Sequence, residues 1–438
     1  MAAGDLTLFP LIQLRAATLV ILVVAAVALW SARHTPWRRP APLSLLCFAV
    51  LVAVWAPVAL LRAPDPGDGR AEVQGLVAGV AVALTVVALS RRSESGLRGM
   101  RVGWALGLGL SILVAGYELL TDDHLWIEPG LSWADSHRTI VAGAFRNPND
   151  FAIALTAMIS GTLAWAASTR HGRRMRALLV VAVVLGAIAV MLTESRSGLL
   201  TLVVVLGLHL WGFLRSRGRS RGSGPDAPVR RRPSRIVLAV GAAVAVALAV
   251  AAFVVPALAA HNPVARMLAT ADQPGTARSD QLRLDLIRAA LRYFRDSDGL
   301  GTGAASYEVL LAADPAPGVA VHTWLHNSFV ELLLQYGVVV AAGLGVVLVV
   351  ALLAVLRGSV RSRSAGRAGT LSRTETLAAL VAFVAMGFAS ATVLTTPVWW
   401  LMLGQAVASV WWAASPEEAQ PPAAGVDATP DRRVSTSR

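Results

Sequence analysis

Residues 321–337 have the sequence VHTWLHNSFVELLLQYG, in which a polar segment leads into a long apolar stretch. At 3.6 residues per turn, Asn327, Glu331 and Gln335 lie at positions i, i+4 and i+8 and form one polar stripe beside His326. Polar and ionisable groups are costly inside a bilayer and usually mark a functional site there. This stretch therefore predicts that a polar site adjoins a membrane-embedded helix.

The composition around this stretch is that of a membrane protein. Hydrophobic residues make up 55% of the chain and charged residues 15%, whereas soluble domains carry about 25% charged residues. Runs of about 20 apolar residues are long enough to cross a bilayer as helices. We therefore predict an all-α, polytopic transmembrane bundle of about 11 spans. The apolar runs lie near residues 11–30, 43–61, 73–89, 102–120, 151–167, 177–192, 198–214, 236–259, 327–356, 374–395 and 398–414.

The positive charge follows the membrane topology. The formal net charge is +13, and most of the arginines lie in every second connection between the apolar runs. Cytoplasmic connections of membrane proteins are enriched in Arg and Lys, so this alternation explains the charge without nucleic-acid binding. It places the N-terminus outside and the C-terminus inside, and predicts a multi-pass protein of the cell membrane.

The chain divides into a membrane domain and two polar segments. Residues 1–414 are predicted to form the integral membrane domain. Residues 215–235 are rich in Arg, Gly, Ser and Pro and predict a basic cytoplasmic loop. Residues 415–438 have little to bury and predict a disordered cytoplasmic tail. The largest extracytoplasmic connection, at about 260–325, carries helical signals of its own.

Residues 282–295 of this connection predict an amphipathic helix. Ser279-Asp280 resembles the start of a helix and Asp298-Gly299 resembles a stop. On a helical wheel, Arg283 falls in the middle of the apolar face, close to Leu286. A cation on a packed face needs a partner, and phosphate is a natural one. Arg283 could instead pair with a carboxylate or extend to the rim of the membrane.

Three further polar clusters face outward in this topology. The sequence RNPND at 146–150 precedes the fifth span. The sequence TESRSG at 193–198 forms a short turn between the sixth and seventh spans, and places Arg196 close to the membrane. His326-Asn327 opens the ninth span. Although separated in sequence, these clusters can meet in one outward-open cavity.

The motifs together resemble those of the O-antigen ligase and O-antigen polymerase superfamily of multi-pass glycosyltransferases. The resemblance covers roughly residues 100–400. It implies a metal-independent enzyme without a cofactor that transfers glycan from a polyprenyl diphosphate carrier to a hydroxyl of a glycan or lipid acceptor. The transfer takes place on the outer face of the cytoplasmic membrane. The motifs are NPNDFA at 147–152, TESRSG at 193–198, Arg283 followed by DGLGTG at 298–303, and HNSFVELLLQYG at 326–337.

The resemblance implies that Arg196, Arg283 and His326 are the catalytic groups. The chemistry needs these residue types independently, because guanidinium groups stabilise the charge that develops on a leaving diphosphate. A neutral imidazole, with a pKa near 6.5, can accept the proton of the acceptor hydroxyl. The residues predicted to bind substrate are Arg146, Asn147, Asn149, Asn327 and Glu331.

The sequence departs from the family pattern in two places. Many relatives have twelve spans with both ends inside, so a first helix is expected to be missing from the eleven counted here. Many relatives also have Glu near the position of Gln335. Glu331, one turn earlier, is the candidate for the displaced acid.

Structural roles stay open for several of these residues. His326 could be an interfacial histidine bonded to the backbone, and Arg196 could anchor its turn against Glu194. Asn147 and Asn149 are suited to capping the fifth helix. Asp122-Asp123 is a rival acidic pair, although the residues after it lack clear metal-ligand spacing.

A transporter or flippase of lipid-linked sugars is the alternative function. Such proteins typically contain inverted repeats and charged or broken helices near the middle of the membrane. In this chain the polar groups cluster at the outer ends of the spans, and the sequence shows no repeat. The pattern therefore favours catalysis over transport.

Overall fold

The computed structural model describes residues 7–9, 14–33, 37, 39–92, 94–124, 140–145, 147–167, 172–218, 274–315, 325–361, 367–390 and 393–413. A short antiparallel pair of strands, β1 (Thr7–Phe9) and β2 (Leu14–Arg15), precedes the helices. A 3₁₀ turn spans Val393–Thr395. The α-helices are α1 (Ala16–Ser31), α2 (Pro40–Leu61), α3 (Pro66–Arg92), α4 (Glu94–Thr121), α5 (Pro148–Ala166), α6 (Arg173–Leu192), α7 (Arg196–Gly218), α8 (Pro274–Arg295), α9 (Ser306–Ala313), α10 (Ser328–Arg361), α11 (Arg367–Ala389) and α12 (Pro397–Ala413).

The helical, multi-pass architecture agrees with the prediction. Among the described residues, 7 helices are long and apolar enough to cross a membrane, namely α2, α3, α4, α6, α7, α10 and α11. Shorter apolar helices occur at Thr18–Ser31 and Pro397–Val410. The predicted span at 236–259, the tail at 415–438 and most of the basic loop at 215–235 lie outside the described residues. The total of eleven spans therefore stays a prediction.

Helix α5 lies at the centre of the bundle. Every residue from 151 to 162 is buried, because α4, α6, α7 and α11 all pack against this helix. Glycines permit the close approach: a Cβ on Gly161 would lie 2.6 Å from a ring atom of Trp104. Helices in lipid associate largely through such close packing, since the surrounding lipid is as apolar as the helix surfaces.

An aromatic cluster fixes the beginning of α10. Phe383 of α11 stacks on Trp399 of α12 with ring centroids 4.3 Å apart, and Phe329 of α10 meets Trp399 edge-on at 5.9 Å. The indole Nε1–H of Trp399 donates to the carbonyl of Phe383 at 2.8 Å, so the ring is buried with its polar atom satisfied. Because Phe329 is the second residue of α10, these contacts hold the start of that helix against α11 and α12.

A buried ion pair joins the helices in the half of the bundle predicted to face the cytoplasm. Nη2 of Arg101 in α4 donates to Oε2 of Glu375 in α11 at 2.6 Å. Nε2 of Gln405 in α12 donates to the other carboxylate oxygen at 3.0 Å. Charged groups at this depth are tolerated when they are paired in this way.

Helix α10 is broken at Gly337, where φ is 79° and ψ is 175°. The apolar run at 327–356 is long enough to hold a short half helix before the true span, and the structure contains one. The half helix, residues 328–336, carries the polar stripe. Glu331 and Gln335 are only 5% and 2% exposed, so the stripe is enclosed by protein.

Helix α8, in the loop predicted to be extracytoplasmic, differs from its prediction at one end. It begins at Pro274, so the predicted start at Ser279-Asp280 is wrong; a proline is well suited to the first turn, where its missing N–H costs nothing. The stop is confirmed, since Asp298 and Gly299 have φ of 54° and 77°. The predicted apolar face is also confirmed, because Leu286 is fully buried in a cluster with Leu334 of α10.

Candidate active site

His326 and Arg283 are close enough for the guanidinium to act on the imidazole. The pKa of His326 is lowered from 6.5 to about 4, mainly by burial and secondly by the Arg283 cation. Nδ1 of His326 is buried and has no hydrogen-bond partner among the residues described. The imidazole is therefore neutral near pH 7 and has a lone pair or an N–H to offer a substrate.

The backbone around His326 is fixed by the start of α10. His326 has a φ of 49° and follows Leu325, which is only 2% exposed. Oδ1 of Asn327 accepts from the N–H of Val330 at 3.1 Å, and Oγ of Ser328 accepts from the N–H of Val393 at 3.4 Å. Asn327, predicted to bind substrate, is thus engaged as the cap of α10.

Arg283 is the unusual cation of α8. The exposed arginines of this helix have carboxylate partners, with Arg288 2.9 Å from Asp285 and Arg292 2.7 Å from Asp314. Arg283 is half-buried, and it forms no ion pair with a residue in the described ranges. The alternative that a protein carboxylate neutralises Arg283 therefore finds no support there.

A second set of predicted residues meets where α5 and α7 begin. Asn147 caps α5, with Oδ1 accepting from the N–H of Asn149 at 2.9 Å. Oδ1 of Asn149 accepts from Oγ of Ser195 at 2.6 Å, and the Ser195 oxygen accepts from the N–H of Gly198 at 3.0 Å. These bonds bring the first two motifs together, and they favour the capping alternative for Asn147, while the Asn149 side chain joins α5 to the turn before α7. Arg146 lies outside the described residues.

Arg196 is the first residue of α7, and its side chain is exposed. The turn before it is packed tightly on α5, since a Cβ on Gly198 would lie 2.3 Å from Cβ of Ala152. The backbone of the turn is also strained at Glu194, where φ is 55°. Arg196 is therefore held on a fixed turn at the mouth of the bundle.

The two sets lie at the same end of the bundle. Asp150, in the first turn of α5, lies beside Ser390, which follows α11. Val393, a few residues further on, is bonded to Ser328 at the start of α10. The Arg283 cation is thus within electrostatic range of His326, and Arg196 begins α7 at the same end of the bundle.

Glu72 of α3 is a member of this region that the sequence did not single out. Its carboxylate accepts from the hydroxyl of Tyr336 at 2.9 Å and from the N–H of Ala305 at 3.1 Å. The side-chain amide of Gln335 donates to the same carboxylate. The acid that contacts Gln335 therefore comes from another helix, and no local pattern in the sequence connects the two positions.

The rival acidic pair is placed on the surface. Asp122 and Asp123 are both exposed at the end of α4. Glu118, one turn earlier, is buried and accepts from the N–H groups of Ala142 and Gly143 at 3.0 and 2.9 Å. Among the described residues, no group of three or more His, Cys, Asp or Glu side chains could hold a metal ion.

An apolar groove of about 480 Å³ lies between α7, α10 and α11. Arg196, Leu200 and Val204 fall at i, i+4 and i+8 on one face of α7, and the last two line the groove. Arg196 therefore lies one helical turn beyond the residues of α7 that line the groove. The other lining residues include Leu348, Leu352, Leu377 and Val381.

These features define a multi-pass helical membrane protein with guanidinium groups and a neutral imidazole at one end of the bundle. Residues 181–345 match the family described as O-antigen ligase. The match includes Arg196, Arg283 and His326, and confirms the resemblance to the O-antigen ligase and polymerase superfamily. Over these residues the chain is similar to O-antigen ligases, which suggests a membrane glycan ligase or polymerase. No curated protein matches the chain.

Proposed function

We propose that this protein is a metal-independent glycosyltransferase that moves a glycan from a polyprenyl diphosphate carrier to a hydroxyl acceptor on the outer face of the cell membrane. The observation that most supports this is the buried imidazole of His326, whose Nδ1 has no partner among the described residues and whose pKa the Arg283 cation helps to lower. The arrangement combines a neutral base with a cation for a leaving diphosphate. A polymerase and a ligase differ in the acceptor: a polymerase extends another lipid-linked glycan, and a ligase transfers the glycan to a different acceptor.

In the proposed reaction, the oxygen of the acceptor hydroxyl attacks the anomeric carbon of the donor glycan. His326 takes the proton of that hydroxyl in the same step. A new glycosidic bond forms while the bond from that carbon to the diphosphate oxygen breaks. The electron pair stays on the diphosphate, where Arg196 and Arg283 stabilise the negative charge. The proton then passes from His326 to the diphosphate or to water, which returns the imidazole to its neutral form.

The groove below Arg196 supports an amphiphilic substrate. Its apolar lining would bury prenyl units, and burial of each CH₂ contributes about 0.8 kcal/mol. Arg196, one helical turn beyond the lining, would then meet the diphosphate head of the same molecule. A water-soluble sugar nucleotide would have no use for such a groove.

The pH dependence of kcat/KM tests the role of His326 as a base. A base acts only when unprotonated, so activity is expected to be full at neutral pH and to be lost as the pH falls through the lowered pKa of about 4. Replacing Arg283 with Gln removes one cause of that lowering, so the midpoint is expected to move upward. A midpoint that stays in place in Arg283→Gln would contradict the coupling. Recovery of activity after return to pH 7 controls for acid denaturation.

Reconstitution with a polyprenyl diphosphate oligosaccharide, followed by mass spectrometry, tests the proposed function. Longer lipid-linked chains are expected from a polymerase, and a glycan joined to a different acceptor is expected from a ligase. The break in α10 is a feature that transporters also use to bind substrates. If the lipid carrier moved across the bilayer and no new glycosidic bond formed, the result would favour a transporter function and contradict the proposed glycosyltransferase activity.

A further inference from the structure

The break in α10 is filled by the glycine-rich segment 299–303. The N–H of Val338 donates to Gly299 at 3.0 Å, and the N–H groups of Thr302 and Gly303 donate to Leu334 and Gln335 at 2.7 and 3.1 Å. There is no room for side chains, since a Cβ on Gly301 would lie 2.5 Å from the backbone nitrogen of Gly337. The segment therefore satisfies backbone groups that the break would otherwise leave unpaired.

The same segment is fastened to the α2–α3 turn. Nε of Arg62 donates to the carbonyl of Gly301 at 2.8 Å, and the N–H of Ala304 donates to the carbonyl of Ala59 at 3.1 Å. Glu72 completes this junction, because its carboxylate bonds to Tyr336 and Gln335 of α10 and to Ala305 after the glycine segment. All of its partners in the described part of the chain are neutral donors.

The junction lies between the two groups that the proposed reaction needs most. Arg283 is on α8, which leads directly into the glycine segment. His326 precedes the half helix 328–336, which ends at the break. The junction therefore connects the element that carries Arg283 with the element that His326 precedes.

We propose that Glu72 is a positioning residue that sets the geometry of Arg283 and His326 through its bonds to Gln335 and Ala305. This inference rests on the proposed function. Displacement of a reacting group by about 1 Å can cost on the order of 10²-fold in rate. Glu72 does not have to touch the substrate to have an effect of that size.

Because Glu72 is an acid and its partner Gln335 is an amide, exchanging the two side chains tests the positioning role of Glu72. Gln335→Glu alone places two carboxylates in contact, and Glu72→Gln alone removes the charged acceptor. The double variant Glu72→Gln/Gln335→Glu restores one carboxylate and one amide in exchanged positions. We expect kcat to fall on the order of 10²-fold in Gln335→Glu, with a smaller change in KM, and to recover at least in large part in the double variant.

A second readout separates positioning from general loss of structure. The separation of Arg283 and His326 affects the low-pH midpoint of kcat/KM, so this midpoint is expected to move upward in Gln335→Glu and to return in the double variant. Wild-type kcat and midpoint in Gln335→Glu, or a double variant no better than the worse single variant, would overturn the positioning role while leaving the proposed function intact. Absence of any glycosyl transfer by the unmodified protein would instead contradict the proposed function, and the positioning role with it.

Discussion

Replacing His326 with Asn is expected to lower kcat by about 10²- to 10⁴-fold, the usual contribution of a positioned general base. Asn is chosen because His326 has a φ of 49°, a conformation that Asn tolerates better than Ala. The variant therefore removes the proton acceptor and keeps the backbone. Initial rates of glycan transfer, measured with saturating lipid-linked donor, give the effect.

Binding of the donor and thermal unfolding are the controls for this variant. Both are expected to change little, because Asn327 still caps α10 through its bond to Val330 and Phe329 remains in the aromatic cluster. A His326→Asn protein with normal kcat would show that the imidazole is an interfacial side chain without a role as base.

Replacing Arg283 with Ala is expected to lower kcat/KM by about 10²- to 10³-fold, by analogy with the loss of one donor to a developing anion. Arg283→Lys is expected to fall between Ala and the unmodified protein, since an ammonium keeps the charge but lacks the two-pronged geometry. The same transfer assay measures both variants over a range of donor concentrations.

Arg288→Ala is the matched control, because Arg288 is on the same helix and its side chain is 67% exposed in a pair with Asp285. Exposed pairs of this kind contribute little to stability, so activity is expected to stay close to that of the unmodified protein. Equal losses in Arg283→Ala and Arg288→Ala would indicate a nonspecific effect of positive charge on α8, and would contradict a specific role for Arg283.

The features of this fold that could be predicted from sequence are those set by local periodicity. The apolar runs gave most of the described helices, and the helical wheel placed Arg283 on the packed face of α8. The run after Asn327 is also long enough to leave room for the half helix. Each of these depends on residues within a few turns of one another, where the 3.6-residue repeat decides which side chains share a face.

Contacts between distant segments could not be predicted in this way. Glu72 meets Gln335, and Ser195 meets Asn149, only because separate helices pack side by side. The capping role of Asn147 was recognisable as an alternative, whereas Asn327 was expected only to bind substrate, because an asparagine at the start of a helix suits either role. The predicted start of α8 was wrong because Ser279-Asp280 has the chemistry of a helix start, although the helix begins about one and a half turns earlier, at Pro274.

The proposed mechanism requires Arg196 and Arg283 to hold one diphosphate near His326. A double-mutant cycle on kcat/KM for glycan transfer is the most direct test of this requirement. Groups that act together on one transition state are strongly non-additive. The combined variant Arg196→Ala/Arg283→Ala is therefore expected to lose much less activity than the product of the two single losses. A combined loss equal to that product would mean that the two arginines act independently, and would contradict a shared diphosphate site.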